Sequence, residues 1–366
     1  MIPIYSPSFG KNEKDNLLEC IDTGWISSQG GFIEQFENNF SKWNAMQYGV
    51  ATSSCTSALH LALVALGIGK NDEVICPDLT FIAPANMIRL TGAEPVLVDV
   101  HPINWGIDPL KLEEKITSKT KAIIVVHAYG HPADMDAISV IAKKHNLYII
   151  EDVAEAPGAK YKGKLVGTMG DASCYSFYAN KIMTTGEGGI VLTNDKTLDK
   201  QMRIYRDHGM SREKRYVYVV AGFNYRMTNM QAAIGLAQME MLDEILALRR
   251  EQMDFYYEKL SNVDGISLRK YADWCEPVHW MMTLTLDDKY DRDSFLDYMK
   301  NNGIDCRQMI NPVHHADHFK SQFSDDDFIN SINISKQSAH LPSGLGLNEN
   351  QISEIADIIK KFKDNG

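Results

Sequence analysis

From about residue 50 to 195 the chain alternates between short, nearly continuous apolar runs and longer stretches with apolar residues at helical spacing. Glu73-Val74-Ile75-Cys76, Pro95-Val96-Leu97-Val98, Ala122-Ile123-Ile124-Val125-Val126, Tyr148-Ile149-Ile150 and Gly189-Ile190-Val191-Leu192 read as strands. Unbroken apolar runs of this length suit strands covered on both faces, as in a parallel sheet. Between them, residues 56–66, 83–90 and 134–145 read as helices. The βαβ rhythm predicts an α/β layer fold with a largely parallel central sheet. Ligands in such sheets bind outside the carboxyl ends of the strands. Asp152, His127 and Phe81 all fall at or just past predicted strand ends.

Beyond this region the spacing predicts one long helix from 227 to about 262, with Ile234, Leu236, Met239 and Leu242 on its apolar stripe. The tail then mixes a strand-like piece at 279–286 with helices at 292–302 and 348–362. This predicts two domains. Residues 1–247 form a large domain, with an N-terminal segment that could pack on the small one, and residues 248–366 form a smaller α+β domain. No repeat, low-complexity segment or long linker interrupts them.

Composition narrows the function. The 366 residues are 44% hydrophobic and 23% charged, ordinary for a globular chain, and the net charge of −11 argues against nucleic acid as a partner. No apolar stretch approaches the ~18 residues of a membrane span. Met1-Ile2-Pro3-Ile4-Tyr5 lacks the basic start and apolar block of an export signal. Six cysteines without CxxC spacing, and eleven histidines without an HExxH pattern, predict a cytoplasmic protein free of disulfides and bound metal. His314 and His315 are neighbours, so on a regular strand or helix they would not face one another.

The candidate chemistry centres on Lys181. It follows the strand-like run Ser173-Cys174-Tyr175-Ser176 and precedes Thr185-Gly186-Glu187-Gly188-Gly189, while Asp152 closes an earlier strand. A lysine in a tight loop and an acid at a strand end suit pyridoxal phosphate: the amine forms a Schiff base with the aldehyde, and the carboxylate keeps the pyridine nitrogen protonated. Ala51-Thr52-Ser53-Ser54-Cys55-Thr56-Ser57 opens a helix whose free N–H groups suit a phosphate. Ser176 can add a hydroxyl, Glu155 can reach a ring hydroxyl, and Phe81 can stack on a flat ring. Each feature has an ordinary alternative: a surface lysine, a helix cap, a core aromatic.

Glu151-Asp152-Val153-Ala154-Glu155-Ala156, Ser176-Phe177-Tyr178-Ala179-Asn180-Lys181, Thr185-Gly186-Glu187-Gly188-Gly189, Gly222-Phe223-Asn224-Tyr225-Arg226-Met227-Thr228-Asn229, Gly24-Trp25-Ile26-Ser27-Ser28 and Val126-His127-Ala128-Tyr129-Gly130 occur in one chain. Together and in this order they resemble the DegT/StrS-type sugar aminotransferases over nearly the whole length. The resemblance implies the aspartate-aminotransferase fold (fold type I) and a homodimer with shared active sites. It implies Lys181 as the Schiff-base lysine, Asp152 on the pyridinium nitrogen, Glu155 on the ring hydroxyl and Phe81 stacked on the ring. Ser176, Cys55 and Thr56 would hold the phosphate, with Asn224 reaching it from the partner chain. Trp25 and Ser27 would border the sugar, and His314, Arg307 and Arg226 would meet the sugar or its diphosphate. His127, His208 and His279 are expected to be structural.

Within the family the pattern looks most like enzymes that move an amino group from glutamate, released as 2-oxoglutarate, to carbon 4 of a GDP-linked 4-keto-6-deoxymannose. Amination at carbon 3, a dTDP- or UDP-linked substrate, and, remotely, a non-catalytic cofactor-binding regulator are the alternatives. Cys55 stands where the family commonly has glycine, and Ala179 also replaces a common glycine. Related dehydratases carry histidine at the Schiff-base position, so Lys181 favours transamination.

Overall fold

The structure, a computed structural model, describes the backbone of residues 1–365 and the side chains of residues 1–362. A seven-stranded sheet is built from β1 (Tyr48–Thr52), β2 (Glu73–Pro77), β3 (Glu94–Val98), β4 (Thr120–Val126), β5 (Tyr148–Asp152), β8 (Ala172–Ser176) and β9 (Gly189–Thr193). The order is β1-β9-β8-β5-β4-β2-β3. Only β9 runs against the rest, pairing antiparallel with β1 and β8, while the other pairs are parallel. The expected parallel sheet is thus present, and its unbroken apolar strands are covered on both faces: Ile123, Ile124 and Val125 are wholly buried.

A short three-stranded sheet joins β6 (Lys160–Tyr161), β7 (Lys164–Leu165) and β11 (Cys275–Glu276). The C-terminal part carries an antiparallel sheet of β10 (Ile266–Leu268), β12 (Met282–Leu286), β13 (Arg307–Gln308) and β14 (Ser338–Leu341), in the order β10-β12-β14-β13.

Local chemistry explains the element ends. The helix Met135–His145 starts where the Asp134 carboxylate accepts from Ala137 N–H, and it ends at Asn146 in the left-handed region after Lys143, Lys144 and His145. The continuous helix expected over 227–262 is instead two, Asn229–Glu240 and Leu242–Leu260, broken at Met241. The stretch spans two cores, and Leu242 and Ile245 of the second helix still share the cluster of the first half. Ala232 belongs to the large cluster around the seven-stranded sheet, whereas Met253, Tyr256 and Leu260 belong to a smaller cluster with Leu284, Phe295 and Ile355. Asp243 and Glu244 in the first turn of the second helix favour a fresh start there.

Residue 248 falls inside this second helix, and Met309, Val313, Phe319 and Phe328 pack in the large cluster. Ile2 packs on the small cluster and bridges to Ile304. Strand β1 and the helices Lys11–Thr23 and Gly31–Trp43 gave no clear signal in the apolar pattern. β1 is a short edge strand whose Gly49 passes under a helix: a Cβ there would lie 2.9 Å from the Glu37 carbonyl oxygen.

Candidate active site

Strand alternation sorts the two acids that end β5. Glu151 turns into the sheet's underside and is fully satisfied. It accepts N–H groups of Gly167 (2.6 Å), Met169 (2.7 Å) and Gly170 (2.6 Å). It also accepts from Nε2 of His127 (2.9 Å), whose Nδ1 accepts from Ala133 N–H. Both ring nitrogens of His127 are thus taken up inside the fold, although its strand-end position also suited a ligand. Asp152 points the other way, into a cavity of about 590 Å³, with one backbone donor, Ala154 N–H at 3.0 Å. Burial pushes its carboxyl up to about 6.

Lys181 enters the same cavity from the loop after β8. The loop closes on itself: Phe177 N–H donates to Gly188 O, Thr185 N–H to Phe177 O, and Gly186 takes a left-handed φ of 83°. The Tyr5 hydroxyl donates to the Lys181 carbonyl oxygen (2.7 Å) and pins the backbone. The Lys181 side chain is 13% exposed, with Nζ 3.7 Å from Glu155 Oε1. Oε2 of Glu155 accepts from Tyr129 N–H at 2.6 Å.

The third wall is the start of the helix Cys55–Ala65. Ser54 caps it, accepting from Ser57 N–H, while the Ser57 side chain returns a bond to Ser54 N–H. The N–H groups of Cys55 and Thr56, in the first turn, are those a helix leaves for a ligand. This helix start rests directly on β9. A Cβ at Gly189 would sit 2.4 Å from the Ser54 carbonyl carbon and 2.5 Å from Cys55 N. Cys55 is the first helical residue and is buried, and the Ser54–Ser57 cap around it is intact.

The fourth wall comes from the C-terminal half. Trp280, just before β12, lies face-on to Lys181, and its indole N–H donates to the Asn180 carbonyl oxygen at 2.6 Å. Tyr129 stacks behind Trp280, the planes 17° apart. Its left-handed backbone (φ 48°) is held by Arg269, which donates to the carbonyl oxygens of Ala128 and Tyr129. His340 and Arg307 complete the lining.

The DegT/DnrJ/EryC1/StrS aminotransferase family matches residues 7–360. The chain belongs to that family. It is similar to the GDP-perosamine synthase of Escherichia coli O157:H7, 42% identical over 99% of this chain and 98% of that one. It is similar also to that of Caulobacter vibrioides, 44% identical over 97% and 96%. The S. venezuelae DesV structure superimposes with a TM-score of 0.91 at 33% identity, covering 96% of this chain and 94% of DesV. The fold is the aspartate-aminotransferase type, and this member of the family is a pyridoxal phosphate-dependent aminotransferase.

The cavity of this aminotransferase fits that cofactor on its own chemistry. A buried carboxylate with a single N–H partner, raised to about 6, calls for a cationic N–H such as a protonated pyridine nitrogen. A capped helix start calls for a phosphate. The Asn180 side-chain oxygen is buried without a partner on the same wall.

The structure brings together eight of the residues singled out in the sequence: Lys181, Asp152, Glu155, Phe81, Ser176, Cys55, Thr56 and Arg307. Trp25, Ser27, Asn224 and Arg226 lie outside the cavity of a single chain. Trp25, Ser27 and Asn224 are exposed. Arg226 donates to Asn224 Oδ1 and Asp207.

His314, expected at the sugar or its diphosphate, does not line this cavity in a single chain. It is buried within its own chain, with Nδ1 2.8 Å from Asp78 Oδ2. Trp280, Tyr129, Arg269 and His340 were not anticipated. Tyr129 stood inside a family motif, but nothing local in the sequence marked Trp280 as anything other than a core aromatic.

Proposed function

We propose that this aminotransferase transfers the amino group of glutamate to carbon 4 of GDP-4-keto-6-deoxymannose, giving GDP-perosamine and 2-oxoglutarate. The observation that carries the substrate is the 42–44% identity, over nearly the full length, to two GDP-perosamine synthases. The cavity supports the reaction class, since one buried lysine amine and one buried carboxylate face a common space that ends at a helix start.

That geometry supports the following residue roles. Bound pyridoxal phosphate supplies the electron sink that lets a C–H bond beside nitrogen ionise. Lys181 Nζ would anchor the cofactor and, once freed, would hold and move the proton at the substrate carbon. Asp152 keeps the ring nitrogen protonated, Glu155 meets the ring hydroxyl, and Phe81 covers one ring face. The helix start at Cys55 and Thr56, with Ser176, holds the phosphate.

A homodimer completes the site, with Asn224 of the second chain closing on the phosphate. The exposed apolar side chains of Leu18, Ile21, Trp25, Ile26 and Tyr216-Val217-Tyr218-Val219 support burial of these segments between subunits. Trp25, Ser27, Arg226 and Arg307 then border the sugar and its diphosphate. The six free cysteines, and the absence among the described residues of a helix long and apolar enough to cross a membrane, support a cytoplasmic location. We read residues 1–247 and 248–366 as the large and small domains, a division supported by the separate small core.

The test is turnover of GDP-, dTDP- and UDP-linked 4-keto-6-deoxy sugars with glutamate as donor. The GDP sugar should give the highest kcat/KM, with nitrogen at carbon 4 in the product. A preference for another nucleotide, or amination at carbon 3, would overturn the substrate and leave the reaction class standing.

A further inference from the structure

Away from the cavity, the 3₁₀ turn Val313–His315 carries two adjacent imidazoles toward one carboxylate. Nε2 of His314 and Nε2 of His315 each lie 3.2 Å from the same oxygen, Asp325 Oδ1. A regular helix or strand would splay neighbouring side chains apart. This turn, entered from Pro312, brings the two rings to 4.2 Å between centroids.

His314 is built in place. It is 2% exposed, stacks on Phe328 at 4.4 Å, and its N–H donates to Asp78 Oδ1. Its Nδ1 donates to Asp78 Oδ2 at 2.8 Å, which fixes the ring so that Nε2 faces Asp325, where a bound ion would take the place of the proton this contact uses.

We propose that Nε2 of His314, Nε2 of His315 and the Asp325 carboxylate form a site for one divalent transition-metal ion of the zinc class, with Asp78 as the outer carboxylate. Four ligands about 2.0–2.1 Å from zinc lie about 3.3 Å from one another. The two separations of 3.2 Å already match that edge. Two imidazoles and one carboxylate suit zinc, cobalt or nickel rather than magnesium or calcium. A buried histidine oriented by a carboxylate is the usual support of such a ligand. Asp325 and His315 are 73% and 39% exposed, so the ion has a route in and a position open to water. Asp326 and Asp327 in the same turn add negative field. A bound ion would fasten the 313–325 segment to Asp78, beside the Thr80 and Phe81 that line the cofactor cavity.

The test uses the full-length holoenzyme without a histidine tag, stripped of metal by chelation and titrated with zinc by equilibrium dialysis. One zinc per chain is expected. Asp325→Asn and His315→Ala, both at accessible positions, should each weaken binding by about tenfold or more, and Asp78→Asn, which leaves all three ligands, by about 10–100-fold. Cobalt in place of zinc should give the visible bands of a four-coordinate ion without a thiolate band. No binding, binding unchanged in Asp325→Asn and His315→Ala, or a cobalt–thiolate band would overturn the site.

Discussion

The Nζ of Lys181 stands 3.6 Å from the centre of the Trp280 ring. The two residues are far apart in sequence, yet the electron-rich indole face holds the lysine head against the cavity wall, with Glu155 on the other side. Trp280 is itself fixed by Tyr129 behind it and by its bond to the Asn180 carbonyl oxygen. Trp280→Phe keeps a ring but loses that bond and the stronger of the two π faces. A loss of about 1 kcal/mol, or roughly fivefold in kcat, is expected, with cofactor content unchanged. Single-turnover kinetics check it, and an unaltered kcat would remove Trp280 from the positioning of Lys181.

Lys181→Ala should abolish turnover and the visible absorption of the lysine-bound cofactor, while far-UV dichroism stays native. The residue is a loop position whose side chain fills no core, so folding does not depend on it. Measurable transamination by this variant would end the mechanism.

Gly189→Ala tests the helix start. The added methyl would meet Ser54 and Cys55 backbone atoms at 2.4–2.5 Å, so the cap must shift. Overpacking of this kind costs about 1–3 kcal/mol. Because the displaced atoms include Cys55 N, the proposed phosphate donor, cofactor affinity should fall along with stability. Fluorescence titration with pyridoxal phosphate separates the two effects, and an unchanged dissociation constant would place the phosphate elsewhere.

Asp152 supplies a pH signature. Burial raises its carboxyl to about 6, against ~3.9 for an exposed aspartate. Between those values the folded cofactor-free chain binds more protons than the unfolded one, so its stability falls as pH rises through that window. The gap of about two pH units corresponds to about 3 kcal/mol. Asp152→Asn does not titrate. Without cofactor it should gain up to about 3 kcal/mol on the wild type between pH 4 and 6, hold that gain above pH 6, and lack turnover. Urea melts of the two cofactor-free proteins at pH 4.5 and 8 check this, and an equal difference at both values would contradict it.

Much of the fold was legible in the chain because parallel strands buried on both faces must be apolar throughout. The runs ending at Val98, Val126 and Ile150 carry that mark. Edge strand β1 carries less of it, since Gly49 is set by the crossing of a helix and not by sheet burial. The break at Met241 was hidden because apolar residues continue across it: Leu242 and Ile245 stay in the large cluster with Ala232, and only from Met253 does the second helix turn to the small one.

Sequence alone singled out the groups that the fold gathers around Lys181. Asp152, Glu155, Ser176 and the helix start at Cys55 sit in short local motifs, and the spacing within a strand end or a single turn fixes where such residues point. Tertiary structure alone decided the rest. Only packing across long stretches of chain sets Trp280 against Lys181, closes the Gly167, Met169 and Gly170 N–H groups around Glu151, and buries His314 against Asp78. Residue identity states what a side chain can do. Burial and the partners brought from distant segments decide whether it is free to do it.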